Sequence, residues 1–107
     1  MGYEPWYTTA KRSVVIMQLQ WAGKAVSDLE RLYEFLAVVN QNAAAQVVQS
    51  LVQAPETLLS NPRLGEQLFQ FEPREVRRIL VGDYEMRYEL LGSVIYVLRV
   101  WHTKEKR

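Results

Sequence analysis

A chain of 107 residues and 12.5 kDa is sized for one domain with one core, since domains run to roughly 100–200 residues. Its 49% hydrophobic and 23% charged residues are globular proportions and exclude disorder as the default state. Thirteen Lys and Arg against twelve Asp and Glu leave a net charge of +1 and a pI near 8.0; a domain that holds nucleic acid mainly by charge is expected above about 9, so strong nonspecific binding is unsupported.

Residues 1–13 show no period and contain Pro5, and they read as an N-terminal extension to a single domain spanning residues 14–107. Val14 to Trp21 is β-branched and apolar, and ends in alternation, with Met17, Leu19 and Trp21 against Gln18 and Gln20. That pattern predicts a strand with one drier face. Met17 is an alternative start that makes the first sixteen residues an upstream addition. From Ala22 the apolar residues recur every three or four positions: Ala25, Val26, Leu29, Leu32, Tyr33, Leu36 and Val39. Lys24, Asp28, Glu30, Arg31 and Glu34 lie mostly opposite. Asn40-Gln41-Asn42 breaks this helix, and either Asn can cap a second one, whose stripe is Ala44, Val47, Val48, Leu51 and Val52. Pro55 must kink or restart that helix, and Asn61-Pro62 ends it. So short a connection predicts an antiparallel helical hairpin.

The last third reads as sheet. Val76–Val81, Tyr84–Leu91 and Val94–Trp101 are separated by Gly82-Asp83 and Gly92-Ser93, two-residue hairpin signals with Gly first. With both turns tight, cross-strand partners share a face. Ile79, Val81, Tyr84, Met86, Tyr88, Leu90, Ile95 and Val97 then form the face to be covered by the helices. Val76, Arg78, Leu80, Glu85, Arg87, Glu89, Tyr96, Leu98, Val100 and His102 form the other, left to solvent or a partner. The order is β-α-α-β-β-β, an α+β two-layer domain: an N-terminal strand, a helical hairpin and a three-stranded antiparallel meander.

Chemistry-bearing residues are few. The absence of Cys removes disulfides, thiolate nucleophiles and Cys-based zinc sites, and a single His leaves no His pair, so no cofactor and no metal are expected. The longest charge-free run, Phe35 to Pro55, holds six Asn and Gln in 21 residues and is too polar to cross a membrane. No apolar signal core is present, and a cytoplasmic location is expected. Nine of the thirteen cations lie from Arg63 onward, and the stretch Arg99–Arg107 carries four of them against Glu105 alone. His102 has the residue type of a general acid or base, though a surface hydrogen-bonding role is the more ordinary one. Arg78 and Arg87 fall opposite each other with Glu85 and Glu89 on the same face, a cross-strand charge lattice. Trp21 and Trp101 read as packing rather than ligand stacking, and Lys104 to Arg107 as a solvated tail.

The string RRILVGDYEMRYELLGSVIYVLRVWH resembles the RelE/ParE toxin superfamily of bacterial type II toxin–antitoxin systems. The resemblance extends to Trp21 before Ala22; to Ala25, Asp28 and Leu29; to Ala43-Ala44, Asn61-Pro62 and Gly65; and to Arg74-Glu75-Val76, the Tyr84 and Tyr88 pair, and Val100-Trp101-His102. It covers about Val14 to Arg107 and implies a helical hairpin against a small antiparallel sheet.

That superfamily divides by target. In its ribosome-dependent mRNA endonuclease branch, cations on the open face stabilise the scissile phosphate while a terminal Tyr or His assists attack; the residues implied for that role are Arg78, Arg87 and His102. The residue after the first Tyr is typically Arg in that branch and is Glu85 here, a carboxylate that repels a phosphate, and Thr103 rather than Tyr follows His102. The pattern is closer to ParE-like, plasmid-stabilisation toxins, which poison DNA gyrase without being enzymes. The resemblance implies DNA gyrase and a cognate antitoxin as partners, with ribosome and mRNA as the alternative. The C-terminal strand and tail, Arg99, Trp101, His102, Lys104 and Arg107, are the expected target surface. Ala44, Val48, Leu51 and Val52 on the uncharged second helix are the expected antitoxin surface, for a segment that folds on binding.

Overall fold

The computed structural model describes residues 16–105. The N-terminal extension, the residues Val14 and Val15 of the first predicted strand, and Lys106 and Arg107 lie outside the described residues. Strand β1 is Gln18–Trp21. Helix α1 follows as Gly23–Ala37 and helix α2 as Gln41–Gln53. Asn40 is the cap, its side-chain oxygen accepting the Ala43 N–H at 3.0 Å. Pro55 restarts rather than kinks the chain: α2 stops at Gln53 and a 3₁₀ turn runs Ala54–Leu59 with Pro55 near its start. A two-residue strand β2, Glu66–Gln67, and a 3₁₀ turn at Phe69–Phe71 lead into β3 (Glu75–Val81), β4 (Tyr84–Leu91) and β5 (Val94–His102). Gly82 and Gly92 sit at the first turn positions with φ of 60° and 61°, the left-handed backbone these tight turns demand.

The five strands form one mixed sheet in the order β1-β5-β4-β3-β2. β1 lies parallel to β5, with Leu19 beside Ile95 and Trp21 beside Val97, while the remaining pairs are antiparallel. Periodicity reveals a strand but not its neighbour, so the parallel β1 and the short β2 were not expected. The helices cover one face. Ala25, Leu32, Leu51, Met86, Val97 and Val100 are its buried centre, with Trp21, Leu29 and Val47 packed around it. A second cluster holds Leu58, Tyr88, Leu90 and Ile95.

One expected face assignment is corrected. Strict alternation put Val100 and His102 on the open face; both face the helices. The β4–β5 ladder shifts register between Arg87 and Tyr88, so Tyr88 pairs with Val97 but Arg87 with Arg99, leaving Leu98 as the extra residue of a β-bulge. An unpaired residue inverts alternation for everything after it. Val100 thus pairs with Met86 in the core, His102 pairs with Tyr84, and Trp101 turns to the open face beside Glu85, while Arg99, opposite Arg87 in the ladder, reaches Asp28 of α1.

Nor is that face left bare. Val76 is fully buried on it, the Leu68 N–H donates to the Val76 carbonyl at 2.8 Å, and the Phe69–Phe71 turn lies against β3.

Candidate functional site

The loop after the helices is fixed by Gly65 and Tyr88. The Gly65 N–H donates to the Tyr88 hydroxyl at 2.9 Å, and that hydroxyl donates to the Pro62 carbonyl at 2.8 Å. A Cβ on Gly65 would lie 2.5 Å from the Arg78 carbonyl oxygen and 2.7 Å from the Tyr88 hydroxyl, so only glycine fits. Arg77 completes the latch by donating to the Gly65 carbonyl at 2.7 Å and to Glu75 at 2.9 Å. Burial pushes the Tyr88 hydroxyl up, against the opposing Gly65 hydrogen bond and Arg77 charge, so it stays a neutral donor.

On the open face, Arg78 and Arg87 are directly opposite, as expected. Glu85 bridges them: one oxygen takes Arg78 Nη1 at 3.2 Å and the other takes Arg87 Nη2 at 3.4 Å. Arg78 also binds Glu66 at 2.9 Å. Arg87 lies between two rings, its guanidinium carbon 4.8 Å from the Trp101 centroid and 5.2 Å from that of Phe71. Its buried Nε has no hydrogen-bond partner among the described residues. Trp101 is 5% exposed and serves as packing. Phe71 and Glu66 were missed in the sequence because they reach this cluster from a turn and from an isolated two-residue strand, neither of which carries a periodic signal.

The bulge in β5 is anchored from α1. Asp28, 4% exposed, accepts Arg99 Nε at 2.9 Å and Nη2 at 3.2 Å, and the Val100 N–H at 2.8 Å. Burial alone would raise its pKa. The Arg99 and Val100 hydrogen bonds and the charges of Arg99 and Arg31 outweigh burial and hold the carboxyl below its ordinary value. Arg99 is therefore committed to Asp28 rather than presented to a target.

At the end of β5 the chain turns back on itself. The Thr103 N–H donates to the Asp83 carbonyl and the Glu105 N–H to the His102 carbonyl. Glu105 accepts the His102 N–H at 2.8 Å and Arg31 Nη1 at 3.1 Å. His102 Nδ1 accepts the Lys104 N–H at 3.1 Å, and the His102 ring meets Tyr84 edge-on with centroids 5.2 Å apart. Below this turn lies a cavity of about 620 Å³ with Leu32, Phe35, Leu36 and Tyr84 in its walls. Arg31, His102, Lys104 and Glu105 form its polar rim.

The residues expected for RNA cleavage are not brought together. Arg78 and Arg87 occupy the open face, while His102 lies on the helix side at the strand end. The expected antitoxin surface is also corrected, because Ala44 and Leu51 are buried at 0% and 1% exposure. Ala44 lies three positions from Val47 and Leu51 four, so all three follow the inward stripe. Val48 is half-buried and Val52 exposed. No group of three or more metal-ligating side chains occurs among the described residues, and none of their helices is long and apolar enough to cross a membrane.

Residues 19–107 match the model of a family described as ParE toxin of type II toxin-antitoxin system, parDE. The chain belongs to the ParE toxin family. It is thus the toxin of a type II toxin–antitoxin system, within the RelE/ParE superfamily. This ParE-family chain is also 35% identical over 86 residues to Toxin RelE1 of Caulobacter vibrioides, across 78% of the chain and 90% of that relative. Its fold is similar to a structure titled chromosomal ParDE TA system from P. aeruginosa, with a TM-score of 0.71 and 24% identity over 83% of this chain and 98% of the other. It is similar again to the RelE-RelB complex from Pyrococcus horikoshii, with a TM-score of 0.60 and 14% identity over 85% and 99% of the two chains.

Proposed function

We propose that this ParE-family toxin acts by binding DNA gyrase and inhibiting it, rather than by cleaving RNA, and that a cognate antitoxin neutralises it. The observation that supports this most is electrostatic. Each of the seven arginines among the described residues, Arg31, Arg63, Arg74, Arg77, Arg78, Arg87 and Arg99, is ion-paired to a carboxylate. A phosphate bound at Arg78 and Arg87 must displace Glu85, itself 8% exposed, and then meets a like charge at close range. With the arginines internally neutralised, the surface favours a protein partner over a polyanion. Arg99 and Trp101 shape the C-terminal strand from within, and His102 and Lys104 are its accessible members.

The test is a supercoiling assay with purified toxin and gyrase holoenzyme, run beside an mRNA cleavage assay in a translating extract. Inhibition of supercoiling at toxin excess, with intact mRNA, is the expected result. Ribosome-dependent cleavage lost on His102→Ala would overturn the reading. The relative named Toxin RelE1 makes RNA cleavage the alternative to be excluded.

A further inference from the structure

Two polar links tie α1 to the end of the last strand, and both leave from one face of the helix. Asp28 and Arg31 are spaced i,i+3, so they stand side by side. Asp28 pins the bulge through Arg99 and the Val100 N–H. Arg31 reaches beyond it: Nη2 lies 3.6 Å from Asp28, and Nη1 donates to Glu105 Oε2 at 3.1 Å. The other Glu105 oxygen accepts the His102 N–H at 2.8 Å. A single carboxylate thus joins the helix to the residue on which β5 ends.

The turn needs such a link. The cavity of about 620 Å³ beneath it separates it from Leu32, Phe35 and Leu36, so apolar packing contributes little to its position. Hydrogen bonds set it instead. The Thr103 N–H is held by the Asp83 carbonyl and the Lys104 N–H by His102 Nδ1, and these shape the turn without attaching it to the helices. The side chains of Arg31 and Glu105 are 47% and 31% exposed, so their pair adds little to global stability. Placed at a chain end above a void, the same pair decides whether the turn is ordered.

We propose that Arg31 is a positioning residue for target binding. Acting through Glu105, it clasps the C-terminal turn to α1 and presents His102 and Lys104 in one fixed arrangement. The target then binds a turn that is already ordered, without the cost of ordering it on contact. This rests on the reading of the C-terminal strand end as the gyrase-binding element and deepens it by assigning α1 a part in that element.

The experiment uses the full chain and three readouts: a thermal melt, hydrogen exchange of the Thr103, Lys104 and Glu105 amides by NMR, and inhibition of gyrase supercoiling. Arg31→Ala removes the clasp, and Glu105→Gln removes its charge while keeping an oxygen for the His102 N–H. Each melts within about 4 °C of wild type, because the pair is exposed. Each speeds exchange in the turn by at least about fivefold and weakens inhibition by about five- to tenfold. The double variant is no weaker than either single one, since both remove the same link. Arg31→Lys keeps the charge and stays within about twofold of wild type in exchange and inhibition. Additive losses in the double variant overturn the proposal. Weakened inhibition with unchanged exchange also overturns it, because Arg31 then touches the target itself. Faster exchange with undiminished inhibition does the same, since the order of the turn is then irrelevant to binding. A wild-type toxin that leaves supercoiling intact sinks the gyrase reading instead; the clasp is judged separately by exchange in the free toxin, where an unchanged rate in Arg31→Ala refutes it.

Discussion

Removing Asp28 should unravel the register of the C-terminal strand. Its carboxylate holds the Val100 N–H at 2.8 Å and Arg99 through two bonds, and it is the contact that ties α1 to the bulge. Asp28→Ala leaves a buried N–H without an acceptor, at about 1–3 kcal/mol. Breaking a fully buried ion pair costs about 3–5 kcal/mol, but the Arg99 side chain is 32% exposed and regains water, which reduces that part to about 1 kcal/mol. The sum is about 3 kcal/mol, or a fall in Tm of roughly 12–24 °C for a domain of this size. Asp28→Asn keeps one oxygen for Val100 but loses the charge and replaces the acceptor for Arg99 Nη2 with an NH2 donor, for a fall of about 4–8 °C.

The pH dependence carries a sign. Because the folded carboxyl sits below its ordinary value of 3.8, its stabilisation is fully present above that value and is lost as the pH falls through the folded one. Wild type and Asp28→Asn should therefore differ by a constant Tm from about pH 5 upward and converge below 3.8. Thermal melts from pH 2.5 to 7 followed by circular dichroism measure both effects. An Asp28→Ala variant melting within about 2 °C of wild type at pH 7 would refute the anchoring role.

Tyr88→Phe removes both hydrogen bonds of the buried hydroxyl and strands the Gly65 N–H, so urea unfolding should show a loss of about 2 kcal/mol with an unchanged m-value. Gly65→Ala forces its Cβ against the Arg78 carbonyl and the Tyr88 hydroxyl and should cost about 1–3 kcal/mol in the same assay; a neutral result would mean the loop can move away. Glu85→Gln frees Arg78 and Arg87 from their shared carboxylate, and retention on heparin should shift to higher salt. Unchanged retention would show that Glu85 does not mask the pair.

Sequence reading was most effective where a single strand or helix decides the outcome. The elements of the last third began and ended within a residue of expectation, because Gly82 and Gly92 force tight turns and the alternation between them is clean. One of Asn40 and Asn42 was recognisable as a cap, and Pro55 as a kink or a restart, for equally local reasons, and the structure takes Asn40 and the restart. The Arg78 and Arg87 pair, with Glu85 beside it, followed from turn length alone.

What failed was non-local. The bulge at Leu98 leaves no mark in a hydrophobic pattern, since Tyr96 to Trp101 alternate acceptably in either register. It is Asp28, seventy-two residues from Val100 in sequence, that holds the shifted one. From that shift follow the burial of Val100, the sandwiching of Arg87 by Trp101 and the separation of His102 from the arginines.

Charge divides along the same line. Composition established a nearly neutral chain and a polarised distribution of cations, and the order of elements established the α+β fold. Only the tertiary structure could decide that each described arginine meets a carboxylate, because ion pairing depends on distances across strands and layers, and those are set when the sheet closes on the helices.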